Sequence, residues 1–230
     1  MAKKSAELQK QEEKTDSKLI SKTIEDSVRK AKQKREIRGL AIFLAALGAA
    51  ILGRVALQWV PSVEPIIPIA VAIGMIYGAK EGFMLGSSAY VISNFFVWGL
   101  QGPWTIFQAI GAGLAGALGG IFGRGKSNNW KDLLVWSIIG TALYEIIVTF
   151  AGFGMGIGLL GSGFWLFLLP VYFATSLPFM AAHIGSNAVF ARLFAPLLKL
   201  RNKNEEVKVV SIVRSTGSGA VNVRMYKSSE

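Results

Sequence analysis

The sequence predicts an all-α integral membrane protein with six transmembrane helices and both termini in the cytoplasm. The first observation behind this class is composition, because 52% of the 230 residues are hydrophobic and only 17% are charged. Ordinary globular proteins carry about 25% charged residues. The second is the position of the charges, since residues 1–38 hold 12 of the 25 Lys and Arg residues, whereas residues 39–198 hold ten charges of either sign. The third is the alternation of basic and neutral connections described below.

The chain divides into three regions by composition. Residues 1–38 form a charged cytoplasmic leader with a weak helical stripe, which predicts either a surface-lying helix or a solvated segment. Residues 39–200 form the six-helix transmembrane domain, and its first apolar run follows a charged segment, so it is a span and not a cleavable signal peptide. Residues 201–230 form a cytoplasmic tail, where the alternating pattern of 207–226 indicates a small hairpin.

The first four spans follow from the length of the apolar runs. A bilayer core of roughly 30 Å needs about 20 apolar residues in a helix. Pro61 ends the first run, and Lys80 with Glu81 forms the predicted turn after a short second run. The predicted spans are 39–60, 65–78, 82–100 and 104–122, with a tight corner at 101–103 before the fourth.

The last two spans follow a polar loop at 124–131. The fifth is predicted over 132–150, and the glycine-rich segment 151–163 is predicted to be an outer connection. The final apolar block, 164–198, is too long for one straight span. Pro170 and Pro178 are predicted to divide it into a short lead-in and a sixth helix, because proline removes a helical hydrogen bond.

The distribution of basic residues indicates the topology. If the N-terminus is inside, every Lys and Arg except Arg54 falls on an inner segment, and the outer connections 61–64, 101–103 and 151–163 hold none. This is the pattern that membrane insertion favours. The net charge of +11 is therefore explained by topology and lipid attraction, and no nucleic-acid partner is expected.

Catalytic and energy-coupling motifs are missing from the sequence. The chain has no Cys and one His, so thiolate catalysis, cysteine metal sites and an H-E-x-x-H metal motif are all excluded. No phosphate-binding loop is present, so this chain does not power transport by itself. The sequence predicts a protein that is not an enzyme and that has no cofactor and no metal site.

Polar residues within the predicted spans are the candidates for a binding site, because such groups are costly in a bilayer. At 1.5 Å per residue, Arg54, Glu145 and His183 each lie about 20 to 24 Å from the inner ends of their helices. The others lie at similar outer depth, which predicts an outward-facing pocket. The candidate residues are Arg54, Asn94, Gln101, Trp104, Gln108, Glu145, His183 and Asn187. A structural alternative is that Arg54 pairs with Glu64 or Glu145, and that His183 is a satisfied interhelical donor.

Two ridges of residues at i, i+4 spacing join a small half to a polar or aromatic half. They are Gly82, Gly86, Tyr90, Asn94 and Trp98, and Trp104, Gln108, Ala112, Gly116 and Gly120. The small halves predict close packing between spans. The first span carries Ala41, Ala45 and Ala49 at the same spacing, for which internal packing is the default interpretation.

Several segments together resemble the substrate-binding S components of energy-coupling factor vitamin transporters. The resemblance covers about residues 38–200, and GPWTIFQ at 102–108 after Ser-Asn-Phe at 93–95 is its most specific part. The other segments are Gly53-Arg54, 65–78, Glu81-Gly82, GAGLAGALGG at 111–120 and LPFMAAHIGSNAVFARLF at 177–194. The GPWT-type subset resembles proteins proposed for cobalamin uptake.

The resemblance implies a plasma-membrane protein that binds a vitamin or related micronutrient in its outer pocket. It also implies a complex with a transmembrane coupling protein and two cytoplasmic ATPases. Ala41, Ala45 and Ala49 match the family's alanine motif and would contact the coupling protein. Two alternatives stay open from the residues themselves. One is a structural or assembly membrane protein without a ligand, and the other is a solitary carrier driven by an ion gradient through Glu145 and His183.

Overall fold

The computed structural model describes residues 2–97, 101–124, 129–160, 165–200, 210–213 and 222–225. The chain separates into two compact units, Met1–Leu44 and Ala45–Glu230. The first unit is helical throughout its described residues. The second contains the remaining helices and every side chain of the candidate site described below.

The described residues form six α-helices, which confirms the predicted all-helical class. The helices are α1 (Ala2–Leu57), α2 (Ile66–Tyr77), α3 (Ala79–Ser93), α4 (Trp104–Leu118), α5 (Trp130–Leu160) and α6 (Trp165–Leu198). A π-helical turn, Gly119–Gly123, continues α4. In the tail, strands β1 (Val210–Val213) and β2 (Asn222–Met225) pair antiparallel with Val210 opposite Met225, within the segment whose alternation predicted a hairpin.

Three helical segments in the described part of the chain are long and apolar enough to cross a membrane. They are Glu25–Leu57, Trp104–Gly123 and Trp130–Met155, and an 18-residue stretch within each has a mean hydropathy of 2.2, 1.6 and 1.9 respectively. Large apolar side chains remain exposed on these helices, including Leu52 at 70% and Ile106 at 59%. Exposed apolar surface of this extent is typical of helices that face lipid. The structure therefore indicates a membrane protein.

Helix α2 is the buried centre of the second unit. Its residues from Ile66 to Ile76 are all buried, and it packs against α3, α4, α5 and α6. A helix that is apolar on every side is typical of such a central position. Its 12 residues extend only about 18 Å at 1.5 Å per residue. Helix α2 therefore fills the interior of the bundle and is shorter than the roughly 30 Å core of a bilayer.

Gly78 makes the reversal between α2 and α3. Its φ of 133° is a conformation that side-chain-bearing residues rarely adopt, and α3 begins at the next residue. The predicted turn at Lys80 and Glu81 was wrong by two residues, because both belong to the first turn of α3. A glycine reverses the chain in one residue and leaves the charged pair free to begin the helix.

The small residues of α3 and α4 pack backbone against backbone. A Cβ added to Gly82 or Gly116 would overlap the carbonyl group of the other, and one added to Gly86 would overlap the carbonyl of Ala112. Gly74 of α2 approaches Gly116 equally closely. The two predicted ridges therefore face each other, which confirms the predicted close packing. Trp98, the last member of the first ridge, lies outside the described residues.

Three predicted boundaries differ from the structure. Helix α3 ends at Ser93, whereas the third span was predicted to reach residue 100. Helix α5 continues through glycines to Leu160, where an outer connection was predicted. Helix α6 is continuous from Trp165 to Leu198 with Pro170 and Pro178 inside it, so the predicted division is wrong. Apolar surroundings provide no water to bind free backbone groups. The helix therefore tends to continue through glycine and proline residues.

The close packing of α3 and α4 makes a stability prediction. We expect Gly116→Leu to lower the free energy of unfolding by about 3 kcal/mol or more, because a side chain there must push two helices apart. Thermal unfolding of the purified protein in detergent measures this. Gly185→Leu is the matched control, because nothing lies within 4 Å of a Cβ at Gly185. Equal melting temperatures for the two variants would contradict the close packing.

Candidate functional site

Polar side chains from five helices and one connection meet at one end of the second unit. Arg54 comes from the last turn of α1, and Glu64 comes from the connection between α1 and α2. Asn94 ends α3, and Gln108 lies in the second turn of α4. The other members of the group are on α3, α4, α5 and α6. We call Arg54, Glu64, Tyr90, Ser93, Asn94, Thr105, Gln108, Glu145 and His183 the ionic cluster.

Arg54 is the centre of the ionic cluster. It is 6% exposed, and its Nε donates to Glu64 Oε2 over 2.7 Å. Its Nη1 donates to Ser93 Oγ over 2.7 Å and to the side-chain oxygen of Asn94. The guanidinium carbon lies 4.5 Å from the centre of the Tyr90 ring, which adds a cation–π contact. A buried guanidinium with this many partners is compensated for the loss of water.

Asn94 joins the arginine to α4. It is fully buried, and its Nδ2 donates to Thr105 Oγ1 and to Gln108 Oε1, each over 2.8 Å. Its carbonyl oxygen accepts from Arg54, so the amide is used on both sides. The position of Asn94 at the end of α3 and the close packing of α3 on α4 bring these groups into contact.

Glu64 joins the arginine to α6. Its Oε1 accepts a hydrogen bond from the Tyr90 hydroxyl and lies 3.6 Å from His183 Nε2. His183 Nδ1 lies 2.8 Å from Glu145 Oε1. The imidazole therefore stands between two carboxylates, and its residue is only 2% exposed.

Stacked rings hold these ionisable groups in place. The Tyr90 and Tyr144 rings stack with centres 5.2 Å apart, and Tyr144 meets the His183 ring edge-on at 5.6 Å. Aromatic pairs prefer these offset and edge-to-face arrangements. The rings link α3, α5 and α6 and restrict the orientation of the imidazole.

A second polar pair lies one helical turn from His183. Asn187, which is fully buried, donates from Nδ2 to Thr141 Oγ1 of α5. Its own side-chain oxygen and the nearby α5 hydroxyl of Ser137 are buried without a hydrogen-bond partner in the described structure. His183 Nε2 is in the same state. Most buried polar atoms in proteins find partners, so these atoms are unusual.

A cavity of about 150 Å³ borders the ionic cluster. Its polar lining is Arg54, Gln58, Ser62, Glu64 and Gln101, and Val97 is among its apolar neighbours. Most of the wall belongs to the connection between α1 and α2, where Ser62 has a φ of 58°. Non-glycine residues at positive φ are uncommon and often occur at functional positions.

The structure brings together most of the sequence candidates. Arg54, Asn94, Gln108, Glu145 and His183 all belong to the ionic cluster. Gln101 lies on the cavity wall, and Asn187 bonds Thr141 beside the cluster. Trp104 lies elsewhere, against α5, where a Cβ at Gly152 would come within 2.7 Å of its ring.

Several members of the cluster were missing from the sequence candidates. Glu64 was considered only as a partner for Arg54, although a carboxylate in an almost uncharged region was a usable signal. Tyr90 occurred in a packing ridge, and its i+4 relation to Asn94 placed it on the same face. Ser93 and Thr105 lie within the segments 93–95 and 102–108 quoted for the resemblance, but their spacing did not distinguish them, because hydroxyl groups are common in membrane helices.

The fold and this site define an α-helical membrane protein with a buried ionic cluster beside a polar cavity. Ionisable groups inside such a bundle commonly mark solute or ion sites. The Arg54–Glu64 pair also agrees with the structural alternative stated above, in which these residues hold helices together. No protein-family model, curated protein or solved structure matches the chain.

The buried ion pair makes a prediction about stability. We expect Arg54→Met to lower the free energy of unfolding by about 3 kcal/mol, because the Glu64 carboxylate loses its counter-charge. The double variant Arg54→Met/Glu64→Gln should be less destabilised than the sum of the two single variants. Chemical denaturation in detergent measures the cycle.

The control for this cycle is Arg29→Met in the exposed Arg29–Asp26 pair, which should change stability little. Additive effects of the Arg54 and Glu64 substitutions would show that the two side chains do not stabilise each other.

Proposed function

We propose that the chain is the substrate-binding S component of an energy-coupling factor importer in the plasma membrane. In this role it binds a vitamin or related micronutrient from outside the cell, and ATP hydrolysis by partner subunits drives uptake. The observation that carries the proposal is the cavity beside the ionic cluster, since both lie at the end that the charge pattern predicts to be outside.

The proposed topology has six transmembrane helices, with both termini in the cytoplasm. Its support is the separation of polar groups between the two ends of the bundle. The predicted inner residues lie together at one end, around Gly78. A Cβ placed on Gly78 would lie 3.1 Å from Glu81 Oε2 and 3.2 Å from Arg124 Nη1. The other end of the bundle holds the last turn of α1 with Arg54, the end of α3 with Asn94, and Gln101 just before α4. This arrangement agrees with positively charged inner connections.

The cavity supports a binding role and also sets a requirement. Sites for vitamin-sized ligands usually enclose about 300 to 1,000 Å³, whereas this cavity measures about 150 Å³. A ligand of that size, and a corrinoid above all, therefore requires the connection between α1 and α2 to move outward. The carbonyl and amide groups of Gln58 and Gln101 would orient the ligand by hydrogen bonds.

The proposed partners are a transmembrane coupling protein and two cytoplasmic ATPases, together with lipid. The support within this chain is the surface of α1. Ala41 in the first unit is exposed, and Ala45 and Ala49 in the second unit are exposed as well. Internal packing, the default interpretation for a row of alanines, therefore does not account for them. Exposed small residues at i, i+4 spacing let another helix approach closely.

Ligand binding makes the first functional prediction. We expect purified protein to bind at least one member of a vitamin panel, detected by mass spectrometry and calorimetry. Gln101→Leu should weaken that binding about tenfold, because it removes a directional hydrogen bond from the cavity wall. The matched control is Gln33→Leu in the exposed leader. A protein that carries no small molecule and binds none of the panel would contradict the proposal.

Complex formation makes the second functional prediction. We expect Ala45→Trp to abolish co-purification with the coupling protein and the ATPases while ligand binding is retained, because a large side chain separates the two helices. Ala174→Trp, at an exposed alanine of α6, is the matched control and should leave the complex intact. An intact complex in the Ala45 variant would contradict the proposed interface.

A solitary ion-coupled carrier is the second candidate function, and the contact between His183 and Glu145 favours it. The two functions differ in their energy source. If uptake into cells stops when the partner ATPase is inactivated, the importer is supported. If uptake survives the inactivation, the carrier is supported. A structural membrane protein would show no uptake in either case.

A further inference from the structure

Glu64 belongs to the connection between α1 and α2, whereas the groups around its carboxylate belong to helices. Arg54 Nε of α1 donates to Oε2 over 2.7 Å, and the Tyr90 hydroxyl of α3 donates to Oε1. His183 Nε2 of α6 lies 3.6 Å from Oε1 and is buried without a hydrogen-bond partner in the described structure. Three helices therefore place polar atoms around one carboxylate.

The groups that receive this carboxylate have other contacts that hold them in place. Arg54 Nη1 donates to Ser93 Oγ over 2.7 Å. The Tyr90 ring stacks on the Tyr144 ring with centres 5.2 Å apart. A guanidinium in a fixed orientation matches the geometry of a carboxylate. The receiving surface is thus organised by the packing of helices, and it does not need Glu64 for its shape.

The carboxylate of Glu64 reaches the ionic cluster from the wall of the cavity. Glu64 and Arg54 both line this cavity, which measures about 150 Å³. Ser62, in the same connection, has a φ of 58°, which non-glycine residues rarely adopt. A vitamin-sized ligand requires the connection to move outward, because its site usually encloses about 300 to 1,000 Å³. That movement withdraws Glu64 from Arg54.

Withdrawal of Glu64 leaves the Arg54 guanidinium without its counter-charge. Arg54 is only 6% exposed, and a buried charge that loses its partner is strongly destabilising. A carboxylate on the ligand replaces the lost charge and accepts the same hydrogen bonds from Arg54 and Tyr90. The total charge of the ionic cluster is unchanged by this exchange. A neutral ligand offers no such replacement, so the site distinguishes ligands by charge.

We propose that Glu64 occupies the position of a ligand carboxylate, and that the ligand of this chain is a carboxylic acid that takes this position on Arg54 and Tyr90. Glu64 is then an internal competitor that closes the site while no ligand is bound. The ligand class rests on the proposed importer function, whereas the carboxylate site rests only on contacts within this chain.

Acetate tests the carboxylate site without knowledge of the ligand. Glu64→Ala removes the heavy atoms of one acetate ion from the cluster. We expect the purified variant to melt at a lower temperature than the unsubstituted protein, and its melting temperature to rise with acetate concentration, because an anion that binds only the folded state stabilises it. Acetamide should have no effect, and Arg54→Met/Glu64→Ala should not respond to acetate. Equal responses to acetate and to chloride at the same ionic strength would overturn the site.

Paired ligands measure the discrimination in the unsubstituted protein. The probes are nicotinate with nicotinamide and biotin with biotinamide, and calorimetry measures their affinities. We expect a carboxylate that binds to do so about tenfold or more tightly than its own amide, because it bonds a charged group. Equal affinities within a pair that binds would overturn the inference and leave the importer standing. If no probe binds although acetate stabilises Glu64→Ala, the importer and the ligand class are overturned and the carboxylate site stands.

Removal of the internal competitor gives a further measurement. Glu64→Gln should bind the carboxylate probe about tenfold more tightly, because its neutral side chain competes less for Arg54 and the open site is more populated. Glu81→Gln is the control and should leave the affinity unchanged, because Glu81 lies beside Gly78 at the other end of the bundle. An unchanged or weakened affinity in Glu64→Gln would overturn the exchange.

Discussion

The ion pair between Arg54 and Glu64 is the interaction on which the rest of the bundle depends. A guanidinium inside an apolar bundle is stable only when its charge and its hydrogen-bond donors are satisfied. Here one carboxylate, one hydroxyl and one amide oxygen satisfy it, and they come from a connection and from the end of α3. One buried side chain therefore ties together the last turn of α1, the connection that follows it and the end of α3.

The apolar packing below this pair makes its geometry attainable. Helix α2 is buried on every side and carries no group that competes for the arginine. Glycines on α3 and α4 bring the two backbones together, which places Asn94 within hydrogen-bond distance of Gln108. The polar cluster therefore depends on the close packing of the small residues, because the amide pair forms only when the two helices are in contact.

The same side chains of the cluster hold helices together and border the cavity. Arg54 and Glu64 connect α1 with the segment that follows it and also line the cavity, so a molecule bound in the cavity would contact this ion pair. His183 extends this set of contacts to α5 and α6 through Glu145. Buried polar groups in membrane proteins are costly, and the cluster offsets that cost by connecting its members through hydrogen bonds.

Local pattern in the sequence determined the helical class and the membrane character, and it placed Arg54, Glu145 and His183 at one level of the bundle, because apolar length and charge position are one-dimensional properties. It also indicated which ridges pack, since i, i+4 spacing fixes a helix face. Only the tertiary structure decided the partners. Glu64, Ser93 and Thr105 join the cluster through contacts between segments distant in sequence, and α6 continues through Pro170 and Pro178 although local rules end it there. Which side chains contact each other depends on how the helices pack together. Local periodicity in the sequence carries no information about that packing.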